Sequence, residues 1–196
     1  MTDRPSAPQV LVGVVLAAGG STRFAAGAKQ LAEAGGRALV RLAVEAAVDA
    51  GCFAEVVVVQ GAVDCRAVLD GLSVTILDNP QWADGMATSL QVGLAEAARW
   101  EAAAVVVGLA DQPGVGAADW RAVARAEAPS PIVVATYDGR RGNPVRLDRS
   151  VWPELPTDGD EGARALMARR SALVTAVACP GDAADVDTVE DLERWN

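Results

Sequence analysis

Continuous apolar runs alternate with amphipathic segments along most of this 196-residue chain. Short runs rich in β-branched residues predict buried strands, whereas apolar residues repeated at three and four positions predict helices. The predicted strands are 10–16, 55–60, 73–77, 103–109, 131–136, 145–147 and 174–179. The predicted helices are 37–50, 63–72, 86–100, 119–128, 160–170 and 188–195, and a turn is predicted at 138–144.

The alternation of strands and helices predicts the fold class. Strands joined by helices form right-handed crossovers, which build a mainly parallel central sheet. We therefore predict an α/β protein, a Rossmann-like three-layer sandwich, with its ligand site at the carboxyl ends of the strands. The length fits one domain, at 10–196, preceded by a flexible N-terminal tail at 1–9.

The loop after the first predicted strand carries the strongest chemical signal. Residues 16–23 read Leu-Ala-Ala-Gly-Gly-Ser-Thr-Arg, and the single lysine of the chain, Lys29, follows them. Small side chains let backbone N–H groups approach a ligand, and consecutive N–H groups form a cradle for an anion. Arg23 and Lys29 add two positive charges beside it. The loop matches neither a Walker A motif nor the Gly-x-Gly-x-x-Gly dinucleotide motif, so we predict a triphosphate site of another type.

Charge and composition exclude several function classes. The formal net charge of −9 argues against a nucleic-acid partner. The apolar run at 10–18 is too short to cross a membrane, so we expect a cytoplasmic protein with no membrane partner. Cys52, Cys65 and Cys179 are far apart, as expected for buried thiols in a reducing compartment. The chain has no histidine, which excludes Ser-His-Asp and Cys-His catalysis.

Acidic residues at two places are candidates for a metal site. Asp111 lies just past the apolar run at 103–109, at the ligand edge of the predicted sheet. A carboxylate there suits Mg²⁺, which keeps several waters and bridges phosphates. Asp185 and Asp187 precede the last predicted helix, and in an extended segment their side chains share one face. Either of them could complete the metal site with Asp111.

Three further segments allow both a structural and a functional interpretation. Residues 79–90 read Asn-Pro-Gln-Trp-Ala-Asp-Gly-Met-Ala-Thr-Ser-Leu, which fits a turn and a helix start as well as a ligand loop. Residues 141–144, Arg-Gly-Asn-Pro, fit a β-turn, and residues 159–164, Gly-Asp-Glu-Gly-Ala-Arg, fit a capped helix start. Taken singly, none of the three identifies a function.

Taken in order, these blocks resemble the molybdenum cofactor cytidylyltransferases, within the molybdopterin-type NTP transferase family. The matching blocks are Leu-Ala-Ala-Gly with the following Arg and Lys, Asn-Pro-x-Trp-x-x-Gly-Met-x-x-Ser-Leu, Ala-Asp-Gln-Pro, Gly-Asn-Pro with Gly-Asp-x-Gly-Ala-Arg, and Asp-x-Asp-Thr. The resemblance extends from Leu16 to Leu192. It departs from the family in one place, because the interval between Arg23 and Lys29 is one residue longer than usual.

The resemblance implies a nucleotidyltransferase-type fold and a role for each matching position. It makes Arg23, Lys29 and Asp111 catalytic, and it places Mg²⁺ on Asp111 and Asp187. The residues that it assigns to the acceptor substrate are Arg141, Gly142, Asn143, Pro144, Asp160 and Arg164. The residues that it assigns to the nucleotide are Leu16, Ala17, Ala18, Gly19, Gly20, Arg23, Lys29, Asn79, Gly85, Ser89 and Asp111.

The implied reaction is the Mg²⁺-dependent transfer of CMP from CTP to the phosphate of molybdopterin, with release of pyrophosphate. The implied partners are CTP or another NTP, a phosphorylated pterin, and a molybdenum hydroxylase that receives the finished cofactor. Three alternatives stay open: a transferase of the same fold with another NTP or acceptor, an NADH-dependent oxidoreductase of the same family, and a non-catalytic molybdenum-cofactor carrier. The missing dinucleotide motif argues against the oxidoreductase.

Overall fold

The computed structural model describes residues 9–21, 24 and 27–196. The strands are β1 Leu11–Ala17, β2 Glu33–Ala34, β3 Arg37–Ala38, β4 Glu55–Gln60, β5 Thr75–Asp78, β6 Ala104–Leu109, β7 Ile132–Tyr137, β8 Arg140–Asp148 and β9 Val174–Ala178. The α-helices are α1 Leu39–Asp49, α2 Met86–Arg99, α3 Ala117–Ala124, α4 Ala163–Arg169 and α5 Val189–Glu193. The tail predicted at 1–9, apart from Gln9, lies outside the described residues, and so does Arg23.

The large sheet of the described chain has seven strands in the order β5-β4-β1-β6-β8-β7-β9, and β2 pairs with β3 in a separate hairpin. The neighbours among β5, β4, β1 and β6 are parallel, as are β7 and β9. The strand β8 is antiparallel to both β6 and β7. The expected mainly parallel sheet is therefore confirmed, and the carboxyl ends of β1, β6 and β7 lie at the same edge.

Two apolar cores, one on each face of the sheet, produce the three layers. Successive side chains of a strand point to opposite faces. In β1, Val15 packs in the core that contains Val44 of α1 and Trp120 of α3. The neighbouring Val14 packs in the other core, with Leu90 of α2 and Leu166 of α4. The runs of valine are therefore apolar on both faces because helices cover both sides of the sheet.

The prediction of a helix at 63–72 is wrong, because the structure has a single 3₁₀ turn there, Ala67–Leu69. The Gln60 side-chain oxygen accepts a hydrogen bond from the Cys65 N–H group at 2.8 Å. At the other end, Gly71 has a φ of +80°, which ends the turn. The apolar periodicity in this segment reflects the burial of Cys65 and Leu69.

The turn predicted at 138–144 is also too long. Only Asp138 and Gly139 reverse the chain, both with positive φ, as in a two-residue hairpin loop. The strand β8 begins directly after them, and its register with β7 skips Asn143 and Pro144. Residues 140–142 therefore belong to a strand because they pair with β7, and Asn143 and Pro144 form an irregularity within that strand. A hairpin missed by the prediction, β2 with β3, moves the start of α1 to Leu39.

Candidate active site

A cavity of about 330 Å³ lies at the carboxyl ends of β1 and β6. One side is the loop that follows β1, another is the start of α2, and acidic residues come from three separate connections. Of the predicted site residues, those that line the cavity are Leu16, Ala17, Ala18, Gly19, Gly20, Lys29, Gly85, Ser89, Asp111, Asp160 and Asp187. The cavity therefore lies at the carboxyl ends of the parallel strands, where ligands bind in folds of this type, and the nucleotide contacts of its residues stay predictions.

The centre of the site is a lysine held between two carboxylates. The Lys29 Nζ donates hydrogen bonds to Asp111 Oδ2 at 2.6 Å and to Asp187 Oδ1 at 3.1 Å. The Lys29 side chain is 15% exposed, so this is a largely buried charge cluster rather than a surface ion pair. Its backbone is fixed as well, because the Lys29 N–H group donates to the Ser21 hydroxyl at 3.0 Å.

The charge state of Lys29 follows from these contacts. Burial by itself lowers the pKa of Lys29, but the Asp111 and Asp187 carboxylates more than compensate, so the pKa is raised above its ordinary value. The lysine therefore stays protonated at neutral pH. An ammonium group in this position neutralises part of the negative charge that two neighbouring carboxylates would otherwise concentrate.

The same two carboxylates fit a divalent cation. Asp111 Oδ2 and Asp187 Oδ1 already converge on one cationic group, and the buried Asp111 Oδ1 has no hydrogen-bond partner among the described residues. Carboxylate oxygens are the ligands that Mg²⁺ and Mn²⁺ prefer. Within the described ranges, no cluster of three or more His, Cys, Asp or Glu residues is placed to hold a metal by itself. A cation here would therefore share its coordination between the two carboxylates and other oxygens, such as phosphates and water.

The structure places Asp185 and Asp187 differently. Asp187 lines the cavity and accepts from Lys29, whereas Asp185 Oδ1 accepts from the Gln112 side-chain amide at 2.8 Å. Desolvation and the nearby Asp111 charge raise the pKa of Asp185, and the hydrogen bond from Gln112 opposes that shift. The geometry favours Asp187 as the companion of Asp111, and the assignment stays a prediction.

Asn79 lies behind the cavity wall. It is buried, and its amide donates to Thr88 Oγ1 at 2.8 Å and to Ser89 Oγ at 2.9 Å. Ser89 itself faces the cavity. In this geometry Asn79 orients Ser89 and is not among the described residues that line the cavity. The nucleotide-binding role of Asn79 stays a prediction, and these contacts would let Asn79 act through Ser89.

The predicted acceptor residues divide into two groups. Asp160 lines the cavity, and its Oδ1 accepts from the Met86 N–H group at the start of α2, at 3.3 Å. The other predicted acceptor residues are absent from the described cavity lining, namely Arg141, Gly142, Asn143, Pro144 and Arg164. Arg141 is exposed near the start of β8, at the same edge of the sheet as the cavity. The acceptor roles of these five residues stay predictions, as does the phosphate contact of Arg23.

Residues 13–174 match a known family, the MobA-like NTP transferase domain. The chain belongs to this family. Nicotine blue oxidoreductase of Paenarthrobacter nicotinovorans is 34% identical over 208 residues, which cover 98% of each protein. The crystal structure of Rv0371c from Mycobacterium tuberculosis H37Rv is 31% identical, with a TM-score of 0.81 over 96% of this chain and 98% of that one. The family membership predicted from the five sequence blocks is thus confirmed.

Two further structures are similar to this MobA-like protein. Rv0371c from the same organism in complex with manganese is 28% identical, with a TM-score of 0.74 over 95% of this chain and 97% of that one. CMP:2-keto-3-deoxy-manno-octonic acid synthetase complexed with CTP has a TM-score of 0.70 and 16% identity over 94% of this chain and 96% of its own. The second likeness concerns the fold alone, and it confirms the predicted nucleotidyltransferase-type fold.

Several cavity residues of this MobA-like protein were missed by the sequence analysis. Trp82 and Met86 form an apolar part of the cavity wall, and Gln30 and Phe24 lie near Lys29. The signal for Trp82 was available, because it belongs to the block at 79–90 that was assigned to the ligand cleft. The signal for Gln30 was not, because its role depends on a contact formed in three dimensions: Ser21 Oγ donates to Gln30 Oε1 at 2.9 Å.

Proposed function

We propose that this protein is an Mg²⁺-dependent nucleotidyltransferase of the cytoplasm that transfers CMP from CTP to the phosphate of molybdopterin, releasing pyrophosphate. The observation that carries the proposal is the Lys29 ammonium group held between Asp111 and Asp187 in the cavity. Phosphoryl-type transfer depends on positioning and on neutralising charge, and these three residues supply both a cation and a hard-oxygen metal site.

Membership in the MobA-like family and the fold shared with a CTP-bound synthetase support the transferase class. The choice of CTP is supported by resemblance to the cytidylyl branch, in the Ala17-Ala18 start of the loop and in the block Ala110-Asp111-Gln112-Pro113. The choice of a divalent metal is supported by the manganese complex of Rv0371c and by Asp111 Oδ1, which has no hydrogen-bond partner among the described residues. A molybdenum hydroxylase is the proposed recipient of the product.

In the proposed reaction an oxygen of the acceptor phosphate attacks the α-phosphorus of CTP. A new phosphorus–oxygen bond forms, the bond to the oxygen that bridges the α- and β-phosphates breaks, and pyrophosphate leaves with that electron pair. Lys29 and Arg23 are proposed to stabilise the negative charge that accumulates on the leaving group. A divalent cation held by Asp111 and Asp187 would supply further neutralisation of the phosphate oxygens.

Hydrogen bonds at Ser21 fix the position of Lys29 relative to the end of β1. The Ser21 hydroxyl accepts from the Lys29 N–H group and donates to Gln30 Oε1, so Ser21 holds both residues next to it. Ser89 and Gly85 face them from α2 and its preceding turn. A ligand between these walls is held on both sides, which lowers the entropic cost of the transfer.

The proposal is tested by pyrophosphate release. The protein is mixed with Mg²⁺, molybdopterin and one of CTP, GTP, ATP or UTP, and we expect release to be fastest with CTP and to require both molybdopterin and the metal. Asp111→Asn keeps the size of the side chain and removes its charge, so we expect a loss of roughly a hundredfold or more. If no nucleotide gives pyrophosphate, the transferase proposal is overturned. If another nucleotide is preferred, only the choice of base is wrong.

An NADH-dependent oxidoreductase is the second candidate, favoured by the 34% identity to a protein named nicotine blue oxidoreductase. The measurement is NADH oxidation with nicotine blue as the electron acceptor, in the absence of CTP. Transfer of a hydride needs no metal–triphosphate site, so this activity would persist in Asp111→Asn. NADH oxidation that survives the substitution, together with no pyrophosphate release, would replace the transferase proposal.

A further inference from the structure

The connection between β9 and α5, residues 179–188, carries Asp187 although it is neither strand nor helix. The strand β9 is the outermost strand of the sheet, and β7 and β8 separate it from β6, whose end leads to Asp111. The connection must therefore cross the ends of two strands before Asp187 meets Lys29. The contacts that hold this connection decide how far apart the two carboxylates lie.

The connection is fastened to the segment that follows β6. Two backbone hydrogen bonds join them, from Asp182 N to the Gly114 carbonyl at 3.0 Å and from Val186 N to the Asp111 carbonyl at 2.9 Å. The second bond attaches the residue directly before Asp187 to Asp111 itself. The two carboxylates are thus linked through the main chain as well as through Lys29.

Two buried side chains complete the attachment. Gln112 donates from Nε2 to the Ala183 carbonyl at 3.1 Å and to Asp185 Oδ1 at 2.8 Å. Asp119 accepts from the Gly181 N–H group at 3.0 Å and from the Gly116 N–H group at 2.7 Å. Gln112 is 4% exposed and Asp119 is 1% exposed, so the Gln112 amide nitrogen and the Asp119 carboxylate depend on these partners. Neither side chain is among the described residues that line the cavity.

Glycine allows the two segments to approach this closely. A Cβ atom at Gly181 would lie 2.3 Å from Asp119 Oδ2, and a Cβ atom at Gly114 would lie 2.6 Å from the Asp182 carbonyl. Any larger residue at Gly181 must displace the connection or the Asp119 side chain. The attachment therefore depends on the shape of the backbone as well as on hydrogen bonds.

We propose that Gln112 and Asp119 are positioning residues that set the place of Asp187 relative to Asp111, and thereby the affinity of this pair of carboxylates for a divalent cation. The part concerning the cation rests on the proposed function. Hydrogen-bond partners that orient metal ligands change metal affinity by about ten- to a hundredfold when they are removed.

The test uses Gln112→Met, which keeps the length of the side chain and removes its donor group. Hydrogen exchange at the amides of residues 181–187 is measured first, with the amides of β1 as the internal reference. We expect exchange in the connection to become about tenfold faster while β1 is unchanged. Binding of Mn²⁺ alone is then measured by electron paramagnetic resonance, and we expect it to weaken by about tenfold or more.

Gln91→Met is the matched control, because Gln91 Nε2 also donates to a backbone carbonyl, that of Pro156, away from the connection. We expect it to leave both the exchange of residues 181–187 and the affinity for Mn²⁺ unchanged. Gly181→Ala is a second variant that displaces the same connection with Gln112 intact, and it should also weaken Mn²⁺ binding. If Gln112→Met does not fold, the test of the proposal rests on Gly181→Ala.

The outcomes separate the two proposals. Faster exchange with unchanged Mn²⁺ affinity, in both Gln112→Met and Gly181→Ala, would overturn the positioning of the metal ligands. Unchanged exchange in both variants would overturn the attachment itself. If the wild-type protein and Asp111→Asn bind Mn²⁺ equally, or if neither binds it, the metal part of the proposed function fails. The exchange measurement then still decides whether Gln112 holds Asp187 in place.

Discussion

At the scale of single residues, Lys29 is the side chain on which the site depends. Its ammonium group lies between two carboxylates that are also the proposed metal ligands. Under the proposed function, we therefore expect the lysine and a divalent cation to compete for the same oxygen atoms as long as no phosphate is bound. We expect the oxygens of a bound triphosphate to offer the lysine a new partner, because a compact ammonium group on a long stem can change partners easily.

Lys29→Met should therefore tighten the binding of Mn²⁺ to the nucleotide-free protein, because the substitution removes a positive charge from between Asp111 and Asp187. We expect a change of roughly tenfold, which is well below the full Coulomb energy of such a contact because solvent screens part of it. Turnover should fall in the same variant, since the phosphates lose their cation. Paramagnetic resonance of Mn²⁺ and pyrophosphate release measure the two effects, and weaker Mn²⁺ binding would contradict the competition.

Cys65 provides a prediction on pH and stability. Burial raises the pKa of the Cys65 thiol from 9.0 to about 11, and the neighbouring Asp64 charge adds to the shift. The folded pKa lies above the unfolded one, so the stabilisation is complete below pH 9 and is lost as the pH rises to about 11. Two pKa units correspond to about 3 kcal/mol at most. Urea unfolding between pH 8 and pH 11 should show a shallower loss of stability in Cys65→Ala, and an identical pH dependence would contradict it.

At the scale of elements, the packing of α2 on β1 places Gly85 and Ser89 at the cavity. Gly93 makes this packing close, because a Cβ atom there would lie 2.6 Å from Val14 Cγ1. The turn before α2 is tied down from another direction, since the Gly159 N–H group donates to the Asp84 carbonyl at 2.9 Å. The start of α2 is thus fixed between the sheet and the segment that carries Asp160.

We expect Gly93→Ala to lower the free energy of unfolding by about 1–3 kcal/mol, although alanine has the higher helix propensity. The added methyl group must displace Val14 or move α2 away from β1. Ala95→Gly, on the exposed face of the same helix, is the control and should cost about 1 kcal/mol through propensity alone. Chemical denaturation measures both variants, and a Gly93→Ala protein more stable than the wild type would show that the packing is looser than described.

Prediction succeeded for the elements whose signal is local. The strand predicted at 55–60 coincides with β4, and the helix predicted at 86–100 ends one residue later than α2. Prediction failed where tertiary contacts overrode the local signal. In the segment 63–72, the Cys65 N–H group donates to the Gln60 side chain, and in the segment 140–144, residues 140–142 pair with β7. No described helix is long and apolar enough to cross a membrane.

At the scale of the whole molecule, the sheet collects groups that are distant in the chain at one cavity. Lys29 follows β1, Asp111 follows β6, and Asp187 follows the outermost strand β9. The protein as a whole has a formal charge of −9, and the described cavity lining combines one ammonium group, that of Lys29, with the carboxylates of Asp111, Asp160 and Asp187. The described lining of the cavity is therefore acidic overall, so the proposed binding of a triphosphate depends on a divalent cation that neutralises part of this charge.

Removal of divalent metal with EDTA should destabilise the ligand-free protein only slightly, because Lys29 competes with the metal for the carboxylates and already neutralises part of their charge. CTP with Mg²⁺ should stabilise the protein by about 2.7 kcal/mol at a hundredfold excess over its Kd. EDTA should abolish most of that gain, and Asp111→Asn should do so without EDTA. Thermal shift with CTP, GTP, ATP, UTP and NADH checks this, and equal stabilisation by CTP with and without metal would contradict it.

The sequence by itself determined the alternation of strands and helices, the ligand edge of the sheet and the loop at 16–20 as part of the site. These features are encoded locally, in the period of apolar residues and in the small residues that end a strand. Only the tertiary structure decided that Lys29 contacts Asp111 and Asp187, that Asn79 lies behind Ser89, and that residues 140–144 belong to a strand. Each of these features depends on contacts between different segments of the chain. The spacing of residues within one segment does not determine which other segment it will contact.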